Sequence, residues 1–272
     1  MPALRVDAVR ALTLADIPAV MALKDAAGWN QTPADWKILL ELAPQSCFGI
    51  ECDGKLAATS TAISYGRELA WIGMVVTDPV HRRRGLARRL LEHALQYLDA
   101  RGVGCVKLDA TAMGQGLYEQ LGFRAECVVE RWLRPAGPIA ASQNVRPYAA
   151  DRVLDRQAFG ADRSTLLDKL ARHGAWSAGE GFAMGRDGAQ AAYFGPCVSR
   201  SPEAARDLLG AFLKTRAGQP VYWDILATHP AAAGLAREHG FTRSRELLRM
   251  VRGGSVTPDA SLNFAIAGFE FG

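Results

Sequence analysis

The sequence predicts an α/β protein built as a tandem of two mixed-sheet units. Three observations carry this. The chain has 272 residues, long for one compact core and comfortable for two. Strand-like apolar runs alternate with helical stripes, the pattern of a sheet with crossover helices. Three blocks also recur in the same order: "GMVVTDP" (73–79) with "GPCVSRSP" (195–202), "VKLDA" (106–110) with "VYWDI" (221–225), and "GLYEQLGFR" (116–124) with "GLAREHGFTR" (234–243). Gly73 to Phe123 spans 50 positions and Gly195 to Phe241 spans 46. The first unit is placed at residues 1–134 and the second at 145–272. Between them, at 135–144, the chain runs through "PAGPIAASQ", poor in bulky apolar residues and linker-like.

Each element has a local reason. Residues 4–11 read as a short strand. Thr13 and Asp16 have capping-box spacing, and Ile17, Val20, Met21 and Leu23 follow at helical spacing. "GWNQTPADW" (28–36) ends that helix and starts another, with Thr32 as N-cap, Pro33 in the first turn and Asp35 at the positive end of the dipole. Residues 47–52 and 56–64 are strands joined by Asp53-Gly54, a hairpin turn. Residues 69–77 form the next strand. Leu86, Leu90, Leu91, Ala94, Leu95 and Leu98 make one stripe of a long helix, which Gly102 ends. A strand at 105–110, a short helix at 116–121 closed by Gly122, and a strand at 125–133 complete the unit.

Composition narrows the function. Net charge is +4, hydrophobic residues make up 49% and charged residues 22%. A nucleic-acid partner is not expected, because the excess is mild and the basic residues have no interleaved aromatic platform. No run approaches a membrane span, and the N-terminal residues do not read as a signal peptide, so a cytoplasmic protein without a membrane partner is expected. The odd set of cysteines (Cys47, Cys52, Cys105, Cys127, Cys197) has no close pair, which argues against a disulfide framework or a metal site. A homodimer is compatible with the sequence.

The most informative stretch is "HRRRGLARRLL" (81–91). A strand ends at Thr77, Asp78-Pro79 turns the chain, and a helix opens near Gly85. The first-turn amides of a helix lack internal partners and carry the positive end of its dipole, so they attract anions. Gly85 lets an anion approach the backbone, Ala87 is small for the same reason, and Arg83, Arg84 and Arg88 flank the place. The pattern is that of a pyrophosphate cradle.

Arg82-x-x-Gly85-x-Ala87 after "VVTDP" resembles the acyl-CoA loop of the GNAT acetyltransferase superfamily, and "LYEQLGF" (117–123) resembles the family's second signature. The arrangement is similar to that of two-domain members, with an intact first half and a divergent second. The resemblance implies an acetyl-CoA-dependent N-acetyltransferase acting on a small-molecule amine; the alternatives are a non-catalytic acyl-CoA-binding or sensor protein, kept open by the missing strand carboxylate, and a protein N-acetyltransferase. It implies that Val75, Val76 and Thr77 hold the pantetheine arm by their backbone. Arg83, Arg84, Gly85, Leu86, Ala87 and Arg88 would hold the pyrophosphate, and Tyr118 would protonate the leaving sulfur. A phenol near pKa 10 keeps its proton for that task. The strand 69–76 lacks the glutamate many members use as base, which leaves Glu68, Asp109 or a water chain. Asp109 reads equally as a helix cap. The family's asparagine ahead of the tyrosine is replaced by Thr111. Trp29 and Asn30, with Gln31, could form the acceptor wall or a plain helix connection. In the second half "SRSPEAARDLL" (199–209) lacks the glycine pattern and Ala236 stands at the tyrosine position. That half is therefore expected to lack a CoA site and either to shape the acceptor pocket or to lock the first half.

Overall fold

The computed structural model describes residues 6–138 and 144–272. Half of the expected linker, residues 139–143, lies outside these, as do residues 4 and 5 of the first expected strand. In chain order the first half holds β1 (Arg10–Ala11), α1 (Ile17–Ala26), α2 (Pro33–Leu42), β2 (Cys47–Cys52), β3 (Lys55–Tyr65), β4 (Leu69–Thr77), α3 (Leu86–Ala100), β5 (Cys105–Ala110), α4 (Ala112–Gln120) and β6 (Arg124–Arg134). The second half holds β7 (Arg146–Pro147), α5 (Arg152–Phe159), α6 (Ser164–Leu170), β8 (Ala175–Ala178), β9 (Gly181–Arg186), β10 (Ala192–Ser199), α7 (Pro202–Thr215), β11 (Val221–Leu226), α8 (Pro230–Glu238), β12 (Thr242–Gly253) and β13 (Asn263–Ala265). The short helix expected at 116–121 begins one turn earlier, at Ala112, because Thr111 is already extended and serves as N-cap.

Local chemistry explains the elements that carry the site. Thr32 caps α2 through a capping box with Asp35, and Pro33 sits in the first turn. Asp53 and Gly54 both have positive φ (51° and 76°), as the tight hairpin between β2 and β3 requires. The six-residue leucine and alanine stripe of α3 is buried against β2, β3 and β4. On the opposite face α1 and α2 share one core with α5 and α6, built around Trp36, Trp71, Phe159 and Leu166. A third core, around Phe194, Phe212 and Trp223, lies under α7 and α8.

One sheet runs through both halves in the order β1-β2-β3-β4-β5-β12-β6-β11-β10-β9-β8-β7. β4 and β5 are parallel, and so are β10 and β11. The last long strand of each half does not return to its own unit. β12 pairs with β5, β6 pairs with β11, and the two cross antiparallel in the middle. The halves have exchanged strands.

A pair of buried ion pairs marks the exchange. Asp109 of β5 takes Arg249 of β12 with both oxygens, at 2.9 and 3.0 Å. Asp224 of β11 takes Arg131 of β6 in the same way, at 2.8 and 2.7 Å. Counting from the repeated blocks, Asp109 matches Asp224 and Arg131 matches Arg249. The two ion pairs are thus one interaction seen twice.

Candidate active site

The two parallel strand pairs each open into a fork. β4 pairs with β5 only at Ala70 and Trp71, after which the strands diverge. A bulge in β4, with Met74 at φ 49°, shifts its register against β3 and bends it away. Below the fork lies a cavity of about 290 Å³, within reach of the range for small-molecule sites. Its walls are Ile72, Gly73, Met74 and Val75 of β4, Leu108 and Asp109 of β5, Thr111 and Tyr118 at α4, and Trp29, Asn30 and Gln31 between α1 and α2. The far wall comes from the second half: Gln190, Tyr222, Ser244, Arg245, Phe269 and Glu270.

At the outer end of the fork α3 begins at Leu86 with Gly85 as N-cap, φ 78°, and no side chain caps its amides. Arg83 also has positive φ (61°), so the chain turns tightly just ahead of the helix. Arg83 and Arg84 are exposed and make no ion pair among the described residues. Arg88 is engaged with Gln120 and Glu92. Val76 and Thr77 pair with β3, which leaves the opposite edge of β4 facing the fork.

The sequence-derived residues separate into three groups. Tyr118 lines the cavity, and burial pushes its phenol up to about 12, so it holds its proton firmly. Trp29 and Asn30 line the cavity too, but the Asn30 amide is fully engaged: it donates to the Ala191 carbonyl and accepts from the Gln190 and Ala191 amides, tying the halves together. Asp109 presents its backbone to the cavity while its carboxylate is held by Arg249. Burial raises that carboxyl, and Arg249 opposes the rise. Glu68 stands at the opposite end of β4, exposed and paired with Arg156 at 2.7 Å, away from the cavity.

Glu270 was not legible from motifs. The segment 268–272 folds over β4: the Trp71 indole donates to the Phe269 carbonyl at 2.9 Å, and the Tyr65 hydroxyl donates to the Phe271 carbonyl at 2.7 Å. A Cβ on Gly73 would lie 3.0 Å from Glu270 Cα, so this glycine makes room for the segment. Glu270 thereby brings a carboxylate to the surface of a strand that has none. Arg186 donates to its Oε1 at 2.6 Å and Gln31 to its Oε2 at 2.9 Å. Burial raises the Glu270 carboxyl above the ordinary range, Arg186 pulls it down, and Asp35 on the far side of Arg186 pushes it up again.

The second half treats its fork differently. β10 and β11 are paired at Ala192–Phe194, and then β13 enters between them. It pairs with β10 at Cys197 and Val198, the Trp223 indole donates to the Phe264 carbonyl, and the Ile266 amide donates to the Asp224 carbonyl. The matching helix α7 is capped by Ser201, whose hydroxyl accepts from the Ala204 amide, with Pro202 and Glu203 in the first turn. Ala236 occupies in α8 the place of Tyr118 in α4.

A fork beside a bulged strand occurs twice in one sheet, and in the first half it opens beside a bare helix N-terminus; this defines a class of acyl-transfer fold. Comparison with known families agrees: residues 17–123 match the acetyltransferase (GNAT) family and residues 152–264 match an acetyltransferase (GNAT) domain. The chain belongs to the GNAT family, as a tandem of two GNAT domains, and is an acyltransferase. It is 24% identical over 251 residues to YitH, an uncharacterised N-acetyltransferase of Bacillus subtilis, covering 85% of this chain and 86% of that one. Over 87 residues it is 36% identical to the ribosomal protein bS18-alanine N-acetyltransferase of Escherichia coli, covering 31% of this chain and 57% of that enzyme. A crystal structure from Pyrococcus horikoshii described as an acetyltransferase has a TM-score of 0.88 at 22% identity, covering 100% of this chain and 97% of that one. A tandem GNAT protein from the clavulanic acid biosynthesis pathway has a TM-score of 0.61 at 13% identity, covering 93% and 100%. Among the described residues no helix is long and apolar enough to cross a membrane.

Proposed function

We propose that the chain transfers an acetyl group from acetyl-CoA to the amine of a small molecule, using one CoA site per chain, in the first half. The contrast between the two forks carries this reading. The first is open beside uncapped helix amides, and the second is filled by β13 beside a helix capped by its own serine.

The residues present fit acetyl-CoA. The uncapped amides of α3 with Arg83 and Arg84 suit a pyrophosphate. The free edge at Val75, Val76 and Thr77 suits the amides of a pantetheine arm. When bound, acetyl-CoA supplies an acetyl group activated as a thioester. The acceptor amine must be neutral to attack, and Glu270 is the carboxylate placed to take its proton. Gln31 and Arg186 orient that carboxylate. Tyr118 holds a proton on Oη for the departing sulfur. Asp109 serves as a positioning residue through Arg249. An acceptor of small size is supported by the walls that Gln190, Tyr222 and Arg245 raise across the cavity from the second half, where an extended peptide would need an open groove.

Calorimetric titration of acetyl-CoA into the full chain tests this. One site is expected; two sites, or none, would overturn the reading. Tyr118→Phe is expected to keep acetyl-CoA affinity and lower kcat about 10- to 100-fold. An unchanged rate would make Tyr118 a packing residue.

A further inference from the structure

One cavity residue has no task in this mechanism. Arg245 of β12 lines the cavity and, among the described residues, makes no hydrogen bond or ion pair. Its buried neighbours are committed: Arg131 to Asp224, Arg249 to Asp109, and Arg186 to Asp35 and Glu270. Arg245 stands beside Arg131 across the β6–β12 ladder, just after a shift in register that follows Arg243. Burial and the positive charge of Arg131 work against its charged form, and Asp224 and Tyr222 offset them only in part. A guanidinium in a partly dry cavity with no carboxylate bonded to it is costly, since Asp224 is already held by Arg131, and a ligand anion would offset the cost.

The Glu270 end of the same cavity has the opposite sign. There a single arginine, Arg186, is shared by two carboxylates, Asp35 and Glu270, which leaves an excess negative charge. Gln31 Oε1 is buried beside them without a partner. The cavity therefore has a negative pole and a positive pole, with the Trp29, Tyr222 and Phe269 rings in its walls.

We infer that the acceptor is an amine bearing an anionic group, its nitrogen toward Glu270 and its anion on Arg245. This rests on the transferase reading above. The planar fork of arginine suits carboxylate and phosphate alike. The candidate acceptors are accordingly amino acids or phosphorylated amino alcohols.

Matched series test the inference. α-Amino acids are compared with their carboxamides, and phosphorylated amino alcohols with their unphosphorylated parents, following CoA release from acetyl-CoA. The anionic member of a pair is expected to be favoured about 10- to 100-fold in kcat/KM, and the arm that responds identifies the anion. Arg245→Gln is expected to collapse that ratio toward one, with Arg245→Lys restoring part of it. A second readout needs no turnover. N-acetylated amino acids and their amides are titrated into the protein alone, and only the acids should weaken in Arg245→Gln, by a similar factor. Equal rates for anionic and neutral members would overturn the inference and leave the transferase reading standing. So would an equal loss for both in Arg245→Gln, or a loss of acetyl-CoA affinity in that variant. No turnover of any amine by a protein that binds acetyl-CoA would overturn both.

Discussion

The two forks of this sheet began as the same object. Each has a parallel strand pair, a bulged inner strand, a following helix and a short helix with nine residues. In the first half every feature that could be satisfied internally is left open: α3 has no capping side chain, α4 starts at Thr111 without a side-chain cap, and the fork is a cavity. In the second half every one is closed: Ser201 caps α7, His229 caps α8, and β13 fills the fork. A helix start left to solvent forgoes the stability, about 1 kcal/mol, that a capping side chain would add. The lesson is that the half proposed to bind acetyl-CoA is the one whose local rules are broken, and the closed half serves as its internal control.

That comparison can be broken from either side. The largest effect is expected from a chain ending at Leu262. It empties the second fork and removes Phe264, Ile266 and Phe271, each at most 2% exposed. Their loss should cost about 5 kcal/mol or more, read by urea denaturation. A truncated chain as stable as the parent would show that the fork does not need filling. Next, Asp109→Asn and Asp224→Asn should each destabilise by about 3 to 5 kcal/mol, since each strands a buried arginine. Equal costs would confirm one structural role seen twice, whereas a small cost with a large loss of activity for Asp109→Asn would return Asp109 to catalysis.

Glu270→Gln is expected to lower kcat by about 10²-fold or more with acetyl-CoA affinity retained. The pH profile sharpens this. A carboxyl whose pKa is raised by folding stabilises the fold while protonated, and that contribution fades as pH rises through the raised value. Catalysis needs the other form, so kcat/KM should climb over the same window, above the ordinary glutamate range. The climbing limb should vanish in Glu270→Gln; a limb that persists would move the base elsewhere.

The smallest pair compares the helix starts. Gly85→Asp puts a carboxylate where an anion is expected and should weaken acetyl-CoA binding about 100-fold. Ser201→Ala at the matching place should cost about 1 kcal/mol of stability and leave acetyl-CoA affinity alone. Any effect of Ser201→Ala on affinity would mean that α7 faces a ligand.

Most of the local structure was legible because its causes are local. The hairpin at Asp53-Gly54, the cap at Thr32 and the stripe of α3 all follow from residues within a few positions of one another. The arginine loop was legible for the same reason. The strand exchange was not, since a pairing between residues 109 and 249 spans 140 positions and leaves no periodic trace. Two signals did exist. The aspartate repeats in "VKLDA" and "VYWDI", and a residue kept by both halves points to structure more than to catalysis in one of them. The missing carboxylate on 69–76 also required a donor, and the apolar segment "NFAIAGFEFG" (263–272) carries a single acid, Glu270.

The exchanged strands also set a timetable. During synthesis β5 emerges with one edge unpaired, and its partner β12 follows only after more than a hundred further residues have been made. Until then the first half must present a buried-type strand edge and an unpaired Asp109 to its surroundings. A ribosome-bound chain stopped near residue 134 is therefore an open sheet that invites pairing with another copy of itself. The cavity at the first fork takes walls from both halves, so it becomes complete only when the second half has been delivered, and on the proposed function half-made molecules are inactive by construction.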